Sequence, residues 1–254
     1  MTEHRFFLDH IDPQATEVVF PPDISHQITH VLRLVPGDQV TVLDGSGKVY
    51  QVRLNHSEGD QLSAAISHAG EIAPPLPVRI TLFFPLSKRE KVEWILQKGT
   101  EVGVSVFQPF VSARSLVQDI NLPSKKTHRW ESIIREAAEQ SRRGYLPVLR
   151  KPEQLSHVLS KGVLEYGLDT ILVATVGGED GSLAAFLDQK KVHLPAPAIG
   201  LFVGAEGGFA EQEIAQFKKL HFPLISLGKT VLRMETAAIV FPALVLYHFE
   251  SNSI

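Results

Sequence analysis

The apolar positions of this 254-residue chain keep two rhythms, a period of two near the start and a strand–helix alternation afterwards. Residues 39–43 and 48–54 alternate or run apolar around Asp44-Gly45-Ser46-Gly47, the signature of a hairpin. A further strand is expected over 61–67, and 24–34 reads as a short helix carrying His26, His30 and Arg33. Together these pieces predict a small barrel. From Val78 onward, strands are expected at 78–84, 104–110, 147–149, 170–175, 198–203 and 223–227, and helices at 88–102, 125–143, 153–161, 181–190, 211–220 and 236–249. That series predicts an α/β domain whose mostly parallel sheet is covered on both faces. In the 88–102 helix, Val92, Ile95, Leu96, Gly99 and Val102 form the inward stripe. Lys98 and Glu101 fall on another face, spaced for an i,i+3 ion pair.

The two rhythms meet at Ala73-Pro74-Pro75-Leu76-Pro77, a stiff stretch that continues neither a ladder nor a helix. Two domains follow, 1–72 and 73–254. Charge changes sign at the same place. The net charge is -3, yet residues 1–72 carry -6, residues 73–151 carry +7 and residues 152–254 carry -4. A basic middle segment of this kind is either a set of solvated helix faces or a phosphate-binding footprint. The chain has no cysteine, which excludes disulfides, thiolate nucleophiles and cysteine-ligated metal centres. The N-terminus leads into no apolar run of signal-peptide length, and no stretch approaches the roughly 20 apolar residues of a membrane span. A cytoplasmic protein with no membrane partner is therefore expected.

In a parallel sheet, ligands bind beyond the carboxyl ends of strands. Two loops there stand out. The strand at 198–203 runs into Gly204-Ala205-Glu206-Gly207-Gly208, where glycines let main-chain groups approach a ligand closely. The strand at 223–227 runs into Gly228-Lys229-Thr230-Val231-Leu232-Arg233-Met234-Glu235-Thr236-Ala237, with Thr236 placed to cap the following helix. A dinucleotide fold does not fit, because no G-x-G-x-x-G follows an early strand. The hairpin turn Asp44-Gly45-Ser46-Gly47-Lys48 lacks phosphate-loop spacing. Metal binding is disfavoured as well: His26 and His30 are four apart but lack the Glu and the third ligand of a zinc site. No G-x-S-x-G elbow is present.

Four ordered stretches carry a resemblance over nearly the whole chain: His30-Val31-Leu32-Arg33 with Gly37-Asp38; Lys91 through Val104; Glu136-Ala137-Ala138-Glu139-Gln140-Ser141; and the two C-terminal loops. In this order they resemble the ribosomal RNA small subunit methyltransferase E family, uridine-N3 methyltransferases of 16S rRNA in the knotted SPOUT class. The resemblance implies a PUA-like β-barrel followed by a trefoil-knotted α/β methyltransferase domain, a homodimer, S-adenosylmethionine as cofactor and 16S rRNA of the small ribosomal subunit as partner. It places Val203, Gly204, Glu206, Gly207, Gly208, Leu227, Gly228, Leu232, Arg233 and Thr236 around the cofactor, and Arg33, Lys98, Glu101, Glu139, Gln140 and Arg142 toward RNA. Three positions depart from the family's pattern: Ala205 where proline is usual, Thr230 where arginine is common, and Ala210 where a capping Ser or Thr is expected.

Methylating uracil N3 requires removing its proton and stabilising the anion. Arg233 is the expected anion stabiliser, with Glu206 or Glu235 orienting it or relaying the proton. A knotted transfer RNA methyltransferase and a non-catalytic RNA-binding protein are the alternatives. The site of methyl incorporation separates the first, and cofactor binding the second.

Overall fold

The structure is a computed structural model and describes residues 4–9, 11–12, 14–55, 61–71, 76–189 and 197–251. Its contacts divide the chain into two units, Met1–Pro75 with Ala138–Leu146, and Leu76–Ala137 with Pro147–Ile254.

The first unit is built on strands β1 (Arg5–Phe7), β2 (Glu17–Val19), β3 (Gln39–Leu43), β4 (Lys48–Leu54) and β5 (Ser63–Glu71). They form one sheet in the order β1-β3-β4-β5-β2. Only β1 and β3 pair in parallel, and a register shift between Gln51 and Val52 bends the long β4–β5 ladder. One face packs Phe6, Val40, Val42, Tyr50 and Val52 into a core with Ile24 and Ile28. Those last two come from a short helix α1 (Pro22–His26) and the π-helical turn Gln27–Val31 that follows it, where a single helix over 24–34 was expected. The turn brings the His26 and His30 rings into a stack at 4.6 Å.

The predicted hairpin is β3–β4, and its turn is held by a segment distant in sequence. Gly47, at φ +102°, lies so close to Tyr145 that a Cβ would stand 2.4 Å from the phenol oxygen. Ala138 joins Phe7 and Leu43 in a small apolar cluster, and the Glu139 carboxylate accepts the Phe7 N–H at 3.0 Å. These interactions place 138–146 with the first unit, whereas the sequence pattern assigns it to the 73–254 domain.

The second unit runs β6 (Arg79–Pro85), α2 (Arg89–Val102), β7 (Val106–Val111), α3 (Ser124–Gln140), β8 (Val148–Leu149), β9 (Glu153–Gln154), α4 (Leu155–Tyr166), β10 (Thr170–Ala174), α5 (Leu183–Gln189), β11 (Ala198–Phe202), α6 (Glu211–Lys219), β12 (Leu224–Ile225) and α7 (Met234–Ser251). The sheet order is β12-β10-β11-β6-β7-β8, parallel throughout, with β9 also pairing β7. Alternate strand residues feed two cores, as a sheet buried on both faces requires. Leu82, Phe84, Leu172, Leu201 and Val203 meet α2, α3, α5 and α7, while Phe83, Phe110, Val173 and Phe202 meet α4 and α6.

The α2 stripe is buried at Val92, Ile95, Leu96 and Gly99, and Thr100 is fully buried too, its hydroxyl donating to the Leu96 carbonyl at 2.7 Å. Two expectations at helix starts need correction. Residues 153–154 pair as a strand, so α4 begins later than 153. Helix α7 begins at Met234, which puts Thr236 inside its first turn; Thr236 is exposed and does not cap the helix.

Strand β12 is held from both sides by one stretch of chain. On one side β10 and its extension donate, Val173 N–H to the Pro223 carbonyl at 2.9 Å and Thr175 N–H to the Ile225 carbonyl at 3.0 Å. On the other, Asp180 and Gly181 of the loop leaving β10 take the Leu224 and Ser226 N–H groups at 2.7 and 2.9 Å, and Leu183 N–H reaches the Ser226 carbonyl at 3.0 Å.

Candidate functional site

Three strand-end loops of the second unit, after β10, β11 and β12, enclose a cavity of about 920 Å³. That volume suits a single small molecule of cofactor size. The loops are shaped by glycine at positions where a side chain would collide. A Cβ on Gly204 would lie 3.2 Å from the Gly208 backbone, and the turn between them closes with Gly208 N–H on the Ala205 carbonyl at 2.8 Å. A Cβ on Gly178 would lie 2.2 Å from the Ser226 nitrogen. At these two positions main chain stands where a side chain would, and apolar residues such as Val176, Ile214, Leu227 and Leu232 complete the lining.

Of the ten residues expected around the cofactor, Val203, Gly204, Glu206, Gly207, Gly208, Leu227, Gly228 and Leu232 line this cavity. Arg233 and Thr236 are exposed and stand outside its lining. The third wall, Thr175–Ser182, is absent from the set that sequence reasoning assembles. Its signal is the one used for the other two loops: Gly177, Gly178 and Gly181 follow directly on a strand end.

The loop after β11 is braced by Glu213. This buried carboxylate accepts the Ala210 N–H at 2.7 Å through one oxygen and the Ala113 N–H at 2.8 Å through the other. Half of a capping box thus survives without the Ser or Thr at Ala210. Arg114 donates to the Gly207 carbonyl from the same neighbouring loop.

The three expected catalytic residues separate. Arg233 precedes α7 and its carbonyl accepts the Ala237 N–H at 2.8 Å. Glu206 and Glu235 converge instead on Lys91, whose ammonium stands 3.0 Å from Glu206 Oε1 and 3.2 Å from Glu235 Oε2. The buried Ser87 hydroxyl donates to Glu206 Oε1 at 2.7 Å. Partial burial pushes the Glu206 carboxyl upward, but the hydrogen bonds from Ser87 and Lys91 outweigh it and hold the group below the usual carboxylate range. Lys91 is raised in turn, chiefly by its hydrogen bond to Glu206.

The residues expected to face RNA fall in both units. Lys98 and Glu101 form the ion pair at 2.8 Å, and the Lys98 ammonium lies 5.3 Å from the centre of the Trp94 ring. In the first unit Glu139 is occupied by the Phe7 amide, and Gln140 is exposed. Arg33 and Arg142 are exposed and hold left-handed backbone at φ 56° and 58°. Strand register places Arg5 and Arg53 on one face of the sheet with Gln39, Thr41 and Gln51. Among the described residues, no three His, Asp or Glu side chains are grouped to hold a metal ion, and no helix is long and apolar enough to cross a membrane.

A parallel sheet with a glycine-rich cavity at its strand ends is the frame of a ligand-binding α/β domain, and the matching family models give its class as RNA methyltransferase. The RNA methyltransferase domain model matches residues 74–246, and an RNA methyltransferase PUA domain model matches residues 20–67. Among known proteins, the chain is 37% identical to ribosomal RNA small subunit methyltransferase E of Synechocystis, over 85% of this chain and 68% of that one. It is 30% identical to the Bacillus subtilis protein of the same name, over 89% and 88%. The solved structure of ribosomal RNA small subunit methyltransferase E from Neisseria gonorrhoeae, bound to S-adenosylmethionine, superposes with a TM-score of 0.84 at 30% identity, covering 97% of this chain and 98% of that one. The chain belongs to the ribosomal RNA small subunit methyltransferase E family, with an α/β domain of the SPOUT class after a PUA-like sheet.

Proposed function

We propose that this protein methylates N3 of a specific uridine in 16S rRNA of the small ribosomal subunit, taking the methyl group from S-adenosylmethionine. The observation that carries the reading is the cavity walled by the three strand-end loops at 175–182, 204–208 and 227–232, each opened by glycine. Residues 1–72 serve as the PUA-like RNA-binding domain and 73–254 as the methyltransferase domain, in the cytoplasm. The holding of β12 on both sides by the stretch from Val173 to Leu183 supports a threaded, trefoil-knotted chain. Leu244 and Tyr247, exposed one turn apart on α7, support a homodimer, which sedimentation would detect.

When bound, S-adenosylmethionine supplies a methyl group on a sulfonium, so the protein has to position the base, strip its N3 proton and stabilise the resulting charge. Glu206, on the cavity wall and held as a carboxylate, is the proposed proton acceptor, with Glu235 sharing its Lys91 partner; Glu179, which also lines the cavity, is paired with Lys218 at 2.6 Å. Arg233, exposed just ahead of α7 and close in sequence to Glu235, stabilises the anionic uracil oxygens. Arg33, Lys98, Glu101, Glu139, Gln140 and Arg142 form the RNA-facing set.

The test is transfer of labelled methyl from S-adenosylmethionine into purified small subunits and, separately, into the transfer RNA pool. Nuclease digestion and mass spectrometry then identify the base. Label in 3-methyluridine of 16S rRNA, lost by about tenfold or more in Arg233→Ala with unchanged cofactor affinity, is expected. Label in transfer RNA alone, or no cofactor binding by calorimetry, overturns the reading.

A further inference from the structure

Lys91 opens one of the ordered motif stretches without a role of its own there, yet it joins three segments remote in sequence: α2, the loop after β11 and the start of α7. Its side chain is 28% exposed, against 29% for Glu206 and 19% for Glu235. Two carboxylates on one ammonium, all partly withdrawn from water, form a costly arrangement unless each charge is matched. The count leaves one carboxylate in excess. Only Glu206 of the pair lines the cavity. Among the described residues, the charged groups meeting Lys91 are these two glutamates, with the Ser87 hydroxyl completing the cluster from the end of β6.

We propose that Lys91 is the positioning residue of this site, clamping Glu206 against the cavity wall and neutralising Glu235 behind it, so that Glu206 meets the uracil as a free carboxylate. This rests on the methyltransferase reading above. The uracil N3–H bond breaks with its proton passing to the Glu206 carboxylate, and its electron pair stays on N3. That pair forms the new N3–CH3 bond as the carbon–sulfur bond breaks, its electrons going to sulfur. Glu206, now neutral, returns its proton to water after product leaves. Without the ammonium, two carboxylates that both stood within 3.2 Å of it lose their shared counter-charge, and their repulsion raises the Glu206 titration. Glu206 is then protonated, and unable to accept, over a wider range of acid pH.

The protein without cofactor gives the direct test. Carboxyl-labelled glutamate is followed by 13C NMR against pH, with the Glu206 signal assigned by its loss in Glu206→Gln. In Lys91→Met the Glu206 titration moves up by about one pH unit or more. Lys91→Arg restores it, and adding Glu235→Gln to Lys91→Met brings it back down by removing the like charge. In parallel, the acid side of the pH–rate profile of methyl transfer moves up in Lys91→Met by the same amount as the Glu206 titration, with KM for S-adenosylmethionine within about threefold of the parent. Thermal melting reports the fold; if Lys91→Met does not fold, Lys91→Met with Glu235→Gln, which keeps the local charge of the parent, and Lys91→Arg carry the comparison. An unmoved Glu206 titration in a folded Lys91→Met, or a pH–rate profile shifted as far in Lys91→Arg as in Lys91→Met, overturns the clamp. If the parent transfers no methyl to rRNA, the functional reading fails by itself, while the NMR titration still decides what Lys91 does.

Discussion

At the scale of single residues, the site is a set of positions where one atom more or less changes the loop geometry. Glu213 is the sharpest case. Its two oxygens satisfy the Ala113 and Ala210 amides, one on each of two neighbouring loops. Glu213→Ala strands both donors, at about 1–3 kcal/mol each, whereas Glu213→Gln keeps one acceptor and loses roughly half as much. Thermal unfolding is expected to rank them parent, Gln, Ala, with cofactor affinity by calorimetry falling in the same order. Gly178 tests the opposite error, too much atom. Its φ of +54° and the 2.2 Å approach to the Ser226 nitrogen make Gly178→Ala a backbone collision costing at least about 3 kcal/mol. Loss of cofactor binding or of soluble protein is expected; a variant that melts like the parent would show that this approach is loose. The sequence displays glycines at strand ends plainly. Lys91 lies within a recognisable motif, but an ion pair spanning more than a hundred residues leaves no local trace, so sequence reasoning pairs Glu206 and Glu235 with Arg233 instead.

At the scale of elements, strands and the β3–β4 hairpin were legible where a period or a breaker fixes them, while the starts of α4 and α7 were misplaced. Alternating apolar residues located β3, β4 and nearly every strand from β6 onward to within a few positions. The short β1, β2 and β9 have too few residues to establish a period, and pairing with distant partners makes them strands. Between α2 and α3, Glu93 is the connection that electrostatics can probe. Arg129 hydrogen-bonds it, with Arg89 adding a second hydrogen bond at 2.7 Å, and together they outweigh burial and hold its carboxyl at about 2, below the ordinary 4.5. A carboxyl whose folded value is depressed stabilises the fold above its unfolded value, and that contribution drains away as pH falls from 4.5 toward 2. Both arginines are more than half exposed, so solvent weakens the effect. Denaturant unfolding from pH 5 to pH 2 should therefore show Glu93→Gln less stable than the parent at pH 5, the gap closing toward pH 2. A constant gap across that range would assign the loss to packing.

At the scale of the molecule, the strand–helix alternation announces a parallel sheet but cannot order it. The strand order β12-β10-β11-β6-β7-β8 brings the ends of β12, β10 and β11 together at the cavity, and β12 is held there between β10 and the loop leaving it. Charge follows the same logic of parts. The first 72 residues carry -6, a poor platform for a polyanion, unless their cations gather. The first unit offers two exposed arginines whose left-handed backbone is uncommon outside glycine, Arg33 and Arg142. Such conformations persist where the surroundings impose them and cluster at binding sites. Every arginine–phosphate pairing that is abolished takes roughly 0.7–0.9 from the slope of log affinity against log salt. The double variant Arg33→Ala with Arg142→Ala is thus expected to bind small-subunit RNA several-fold more weakly and to lower that slope by between one and two. Cofactor affinity, which is measured on the second unit's cavity, should stay that of the parent. If slope and affinity both stay at the parent values, RNA binds instead on the cations of 73–151 other than Arg142.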